Sequence, residues 1–220
     1  MEEIPFTLIR SDRRTISLQV ERNGSVVVRA PKRMARREID AFLAGKADWL
    51  SRALTQVRSQ SARFPPLVLK QGAALPWLDG ALILNLEPRK GVKLEDLTLH
   101  LPQEHSDTAL ERWCRERARE HFGERISHFS ALMGVAPTGL RITGARTRWG
   151  SCTAKDSLNL TWRLMLCPRA QVDYVVVHEL AHIRQKNHSP AFWREVEAVL
   201  PDWRERRRGL RDRQAIMDFL

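Results

Sequence analysis

The stretch Tyr174-Val175-Val176-Val177-His178-Glu179-Leu180-Ala181-His182, followed by Asn187-His188-Ser189-Pro190, decides how the rest of the chain is read. Val172, Val175, Val176, Leu180 and Ile183 recur every three or four positions, which predicts a helix with one buried stripe. Pro168 suits its first turn, where no amide hydrogen is needed. Helical residues four apart are turned by about 400°, so His178 and His182 stack on one side and both imidazoles can reach a single ion. Glu179 lies about 100° further round, where its carboxylate can take a proton from a metal-activated water. A metal site that does chemistry pairs three protein ligands with one open position, and His188 is the candidate for the third. Asn187 is expected to reverse the chain through the left-handed region, with Ser189 and Pro190 as N-cap and first residue of a further helix. An all-imidazole set favours zinc, while iron, nickel and copper remain compatible with the ligand type.

Outward from this helix, Ser157 to Leu166 reads as a strand. Leu158, Leu160, Trp162, Leu164 and Leu166 share one face, and Asn159, Thr161 and Arg163 share the other, expected to be wet. Leu140 to Thr147 reads as a second strand across a polar turn at Ala154-Lys155-Asp156. Upstream, Leu110, Cys114, Ala118, Phe122, Ile126, Phe129 and Met133 recur at helical spacing, with a Thr108–Glu111 capping-box pattern in front and Gly134 as C-cap. The first hundred residues are mostly strand-like. Thr15 to Val20 and Ser25 to Ala30 flank the hairpin signal Asn23-Gly24, and Leu67 to Leu69, Ala81 to Leu86 and Leu94 to Leu101 follow. One amphipathic helix is expected from Ala35 to about Val57, and Pro65 and Pro66 break the pattern after it. The expected class is α+β, with residues 1–105 a β-rich region bearing one long helix and residues 106–220 the metal hydrolase unit, both compatible with a single family domain.

Composition narrows the function classes. A hydrophobic fraction of 43%, a charged fraction of 29% and only 11 Gly and 11 Pro exclude collagen-like and disordered classes, and 220 residues close a core without cross-links. Cys114, Cys152 and Cys167 are far apart, form no Cys-x-x-Cys pair and are expected as reduced thiols. No apolar run approaches the roughly 18 residues of a spanning helix. Met1-Glu2-Glu3 is acidic where a secretory signal is basic, so no membrane attachment and a cytoplasmic location are expected. The excess of 37 Lys+Arg over 26 Asp+Glu gives a net charge of +11. Clusters at Arg10 to Arg14, Lys32 to Arg37, Arg112 to Arg119 and Arg204 to Arg213 therefore bring a nucleic acid or other acidic partner into consideration. No helix-turn-helix, zinc-finger or RNA-recognition motif accompanies them.

Arg148-Trp149-Gly150-Ser151-Cys152, Leu158-Asn159-Leu160, Trp162-Arg163-Leu164, Tyr174 to His182, Asn187-His188-Ser189 and Phe192-Trp193 together resemble the YgjP-like metallopeptidases, a branch of the compact zincins akin to the SprT-like and WLM-type proteases. The resemblance spans most of the chain and is densest from Arg148 to Trp193. It implies a zincin-like unit, zinc bound by His178, His182 and His188, Glu179 as general base, and the strand before the active helix as the edge that receives an extended peptide. Gln185 stands where metzincins use Gly and no Met-turn follows, so the chain departs from that group.

The expected activity is zinc-dependent peptide hydrolysis through a metal-activated water and the Glu179 base, on a peptide or protein substrate. Tyr174, Arg148 and Arg163 are candidates to hold substrate or the oxyanion, and Asn159 to contact substrate backbone. Two other classes are compatible with the composition: a zinc-dependent nucleotide or phosphoanhydride hydrolase whose Arg and Lys clamp phosphate, and a non-catalytic nucleic-acid-binding protein with a structural metal. Cys152 is expected to be a packed thiol, since no paired base is identifiable.

Overall fold

The computed structural model describes residues 5–21, 23–63 and 67–220 of the chain, and the side chains of Gln60, Ser61 and Arg63 are left aside. Pro65 and Pro66 lie outside the described residues. Packing divides the chain into two compact units, Met1–Pro65 and Pro66–Leu220. Six α-helices and three small sheets among the described residues make the class α+β.

In the first unit, β2 (Ser17–Val20) and β3 (Val26–Pro31) form the antiparallel hairpin expected around Asn23-Gly24, with Gly24 at φ 83°, a region glycine enters without steric cost. A strand not anticipated from sequence, β1 (Phe6–Ser11), pairs with β3 in parallel. Val28, Ala30 and Ile39 form its small core. The single helix expected from Ala35 to Val57 is two, α1 (Arg36–Ala44) and α2 (Ala47–Arg63). Gly45 ends the first, its amide bonded to the Ala41 carbonyl, because a glycine gives up about 1 kcal/mol in a helix interior and offers a ready stop.

The second unit begins with a four-stranded sheet in the order β4-β5-β7-β6, from β4 (Ala74–Trp77), β5 (Gly80–Glu87), β6 (Lys93–Glu95) and β7 (Thr98–Pro102). Leu67 to Leu69 is not a strand; Leu67 and Leu69 pack on the core from irregular backbone. Leu94 to Leu101 is split by a turn in which Asp96 adopts φ 51°. The long helix α3 (Ser106–Met133) buries all seven residues of its predicted stripe and closes on Gly134 at φ 62°. Its start differs from the capping-box reading. Asp107 Oδ1 accepts the Thr108 amide, and Glu111 turns inward to accept hydrogen bonds from Trp162 Nε1 (3.2 Å) and Arg115.

Behind α3 lies a sheet in the order β8-β10-β9, with β8 (Gly139–Thr143), β9 (Gly150–Cys152) and β10 (Ser157–Thr161). The strand preceding the active helix is thus central, and the free edges are β8 and β9, which corrects the expectation drawn from the resemblance. Three residues containing glycine carry too little alternation for β9 to be read as a strand from sequence. The predicted alternation also stops at Thr161. Trp162–Leu166 winds into a 3-10 helix with every residue buried, so Arg163 is not on a wet face. Its guanidinium is 2% exposed and donates to the carbonyls of Phe219 (2.9 Å) and Gly144 (3.0 Å) and to the Leu220 backbone oxygen. Then come α4 (Arg169–Arg184), α5 (Pro190–Val199) and α6 (Trp203–Asp212). The core of the second unit is continuous from the first sheet through α3 to these helices. No helix among the described residues is long and apolar enough to cross a membrane.

Arg163→Met would remove the donor to the buried Phe219 carbonyl and to the half-buried Gly144 carbonyl, while the Leu220 oxygen keeps Arg146 as a donor. The substitution is expected to lower unfolding free energy by about 3 kcal/mol, measured by denaturant titration; a change within about 0.5 kcal/mol would show that those oxygens find other donors.

Candidate metal centre

α4 is buried almost all round, with Val172, Val175, Val176, Val177 and Leu180 in the core. That packing fixes the backbone of the two half-buried histidines, His178 and His182. His178 and His182 have ring centroids 5.0 Å apart, as four-residue spacing requires. The helix ends at Gln185 in extended backbone, and the turn that follows is made differently from the sequence reading. Asn187 is not in the left-handed region; its side-chain oxygen accepts the Ser189 amide (3.2 Å) and tightens the loop. Ser189 and Pro190 do open α5 as expected, with Ser189 Oγ accepting from the Phe192 amide (3.4 Å).

This short return brings His188 over the helix. The ligand atoms of His178, His182 and His188 all lie within 4.8 Å of one another, and the Nε2 atoms of His178 and His188 are 3.0 Å apart. Nitrogens bound to one tetrahedral zinc at about 2.05 Å are about 3.3 Å apart, so the cluster is of the right size. His182 Nδ1 donates to the Gln185 carbonyl (3.0 Å), which fixes its tautomer and leaves Nε2 a free lone pair. Burial, with His182 and His188 alongside, pushes His178 down to about 3, so it is a neutral imidazole and a competent ligand. The ring nitrogens of His178 and His188 facing one another, beside His182 with its Nε2 lone pair free, fit a cation. Phe192, fully buried, lies 4.6 to 4.8 Å from all three rings and forms the floor beneath them. It was legible only as a core residue of a helix, because its aim toward the histidines depends on the α4–α5 turn.

Glu179 is 5% exposed. Burial pushes its carboxyl up to about 7, opposed by a hydrogen bond from the Cys152 backbone, and Oε2 has no protein partner. A Cβ on Gly150 would stand 2.8 Å from Glu179 Oε1 and 2.9 Å from its Cγ. Gly150 is therefore required by the closeness of β9 to α4, a role invisible in sequence. Cys152 itself is half-buried, and desolvation raises its thiol, as expected of a packed cysteine.

The other candidates divide. Tyr174 is buried one turn before His178, its ring 5.7 Å from that imidazole, and lines the same cleft of about 280 Å³ as His178 and Glu179. Arg148 and Asn159 line a neighbouring hollow of about 260 Å³ that shares Trp149 and Gly150 with the cleft, and Asn159 Nδ2 donates to Ser151 Oγ (3.2 Å). Arg163 lines neither; its donors face the backbone oxygens described above. The cleft also takes in Arg207 and Arg211 of α6, two members of the basic cluster Arg204 to Arg213, and Gln214 just after it.

The family described as "YgjP-like, metallopeptidase domain" matches residues 14–213. No curated protein matches the chain. Among solved structures, the chain is similar to the metallopeptidase zymogen of Pyrococcus abyssi abylysin, at 25% identity over 39% of this chain and 87% of that one, with a TM-score of 0.37.

Zinc titrated into metal-free protein is expected to saturate at a single ion, and His188→Ala to weaken binding by at least about tenfold. Unchanged affinity in the variant would remove His188 from the ligand set.

Proposed function

The chain belongs to the YgjP-like family of metallopeptidase domains, and on that premise we propose that it hydrolyses peptide bonds with zinc held by His178, His182 and His188 and with Glu179 as general base. The observation that carries this reading is the convergence of three imidazoles beside a carboxylate that is buried yet lacks a partner for one oxygen. Among the described residues no fourth His, Cys, Asp or Glu joins the three, which leaves a position open for chemistry and disfavours a purely structural ion.

Bound there, zinc supplies a Lewis acid that polarises the scissile carbonyl and makes water a better acid. The remaining work falls to the protein. Glu179 Oε2 has no competing hydrogen bond, so it is available to accept a proton from water and to return it to the leaving amine. Its desolvated setting supports this role: a carboxylate raised to about 7 is a far stronger base than one in water. Gln185 holds His182 in orientation, and Phe192 keeps water from beneath the three rings. Tyr174, in the cleft one turn before His178, is the candidate to donate a hydrogen bond to the developing oxyanion. The free edge of β9, beside Glu179, suits an extended peptide adding as a further strand, with Arg148 and Asn159 in the hollow alongside.

Glu179→Gln is expected to retain zinc and to lower kcat for peptide cleavage about a thousandfold. Loss of the metal, or full residual activity, would remove Glu179 from the role of base. Gly150→Ala should keep zinc but reduce kcat by about a hundredfold, since the added methyl displaces the carboxylate; wild-type kcat in a folded variant would show that its position is uncritical.

A further inference from the structure

α6 carries five arginines, and they are not treated alike. Arg204 is paired with Glu197 (2.6 Å), and Arg206 with Asp202 (2.8 Å) and, more loosely, Asp173 (3.9 Å). Arg207 and Arg211 instead line the cleft with His178, Glu179 and Tyr174, and neither has a carboxylate within ion-pair distance among the described residues. They are four apart on one helix face, where two like charges repel and cost some helix stability. Arg207 is held in place all the same. Its guanidinium lies 5.3 Å from the centre of the Trp193 ring, and Trp193 is stacked at 4.2 Å on Trp203 and at 5.7 Å beside His188. An aromatic column thus runs from the metal ligand His188 to α6 and steadies one of the two cations at the mouth of the site.

We propose that Arg207 and Arg211 form an anion-recognition subsite that selects peptides bearing a carboxylate close to the scissile bond. The inference rests on the reading of the site as a peptide hydrolase. The paired arginines on the same helix have their neutralising partners within the protein. Among the described residues the two that face the cleft have no carboxylate at ion-pair distance, nor does Arg208, which is exposed away from the cleft, so only Arg207 and Arg211 are placed for a substrate to supply one. A guanidinium pair presents planar forked donors suited to carboxylate, and both side chains are exposed at the mouth of the cleft, where an incoming carboxylate can reach them. The same chemistry would accept a phosphate oxyanion, so the source of the anion must be separated by experiment.

The test uses the zinc-loaded full chain with Glu179→Gln, which allows binding to be measured without turnover. Peptide pairs identical except for Glu against Gln in the residues flanking one bond are titrated by fluorescence anisotropy. The acidic member is expected to bind about tenfold tighter, with the advantage shrinking as salt rises. Arg207→Gln with Arg211→Gln should abolish that advantage while leaving the Gln peptide unchanged, and the two Lys replacements should restore part of it. Arg211→Glu should shift preference toward a Lys-bearing peptide. Equal binding of the pair, or a preference that survives the double variant, overturns the proposal, as does tight binding of pyrophosphate with no preference for the acidic peptide. If the acidic preference is found but the wild-type chain cleaves no peptide of the panel, peptide hydrolysis fails and carboxylate recognition stands.

Discussion

The fit of the Glu179 carboxylate into the space that a side chain on Gly150 would fill is the constraint on which the rest of the site depends. A carboxylate side chain is expensive to strip of water, and it is tolerated here because β9 approaches α4 closely enough to hold it without enclosing both oxygens in hydrogen bonds. That approach exists only because position 150 has no side chain. β9 is held by pairing with β10 on one side, and among the described residues its other edge has no strand partner.

Rigidity around this fit comes from the core. α4 is enclosed by α3, the 3-10 helix, α5 and α6, and its valines are buried on nearly every side, so the helix cannot roll to relieve the cost of its charged residue. Arg163 fastens the last residues to the loop at Gly144, and Glu111 bridges α3 to Trp162. The Arg163 bond to Phe219 is buried and the other two are half-buried, where a satisfied polar link contributes more than on the surface. The three histidines then need only a short turn, set by Asn187 and Ser189, to come together over Phe192.

Much of this was legible. The helical period of α3 and α4, the hairpin at Asn23-Gly24, the Gly134 cap and the Ser189-Pro190 start of α5 rest on local preferences that tertiary packing reinforced. Two of the misreadings come from distant packing rather than from local signals. Alternation across residues 157–166 is compatible with a strand, but burial on both sides from Thr161 onward let the chain wind into a 3-10 helix, and so turned Arg163 from a surface cation into an internal link. Thr108 and Glu111 had the spacing of a capping box, yet Trp162, 51 residues away, offered Glu111 a better use.

The sequence by itself determined that His178 and His182 share one side of a helix with Glu179 beside them, because the turn per residue is a property of the backbone and needs no distant partner, whereas His188, past the helix end, joins them only through the turn that follows. Only the tertiary structure decided what surrounds them. Gly150 beside Glu179, Phe192 beneath the rings, and Arg207 and Arg211 at the mouth are brought in by separate elements, and a charge cluster read along the chain does not reveal which members are neutralised by neighbours and which face the cleft. Local periodicity is written in adjacent residues, whereas a site's walls are set by which elements the core forces together.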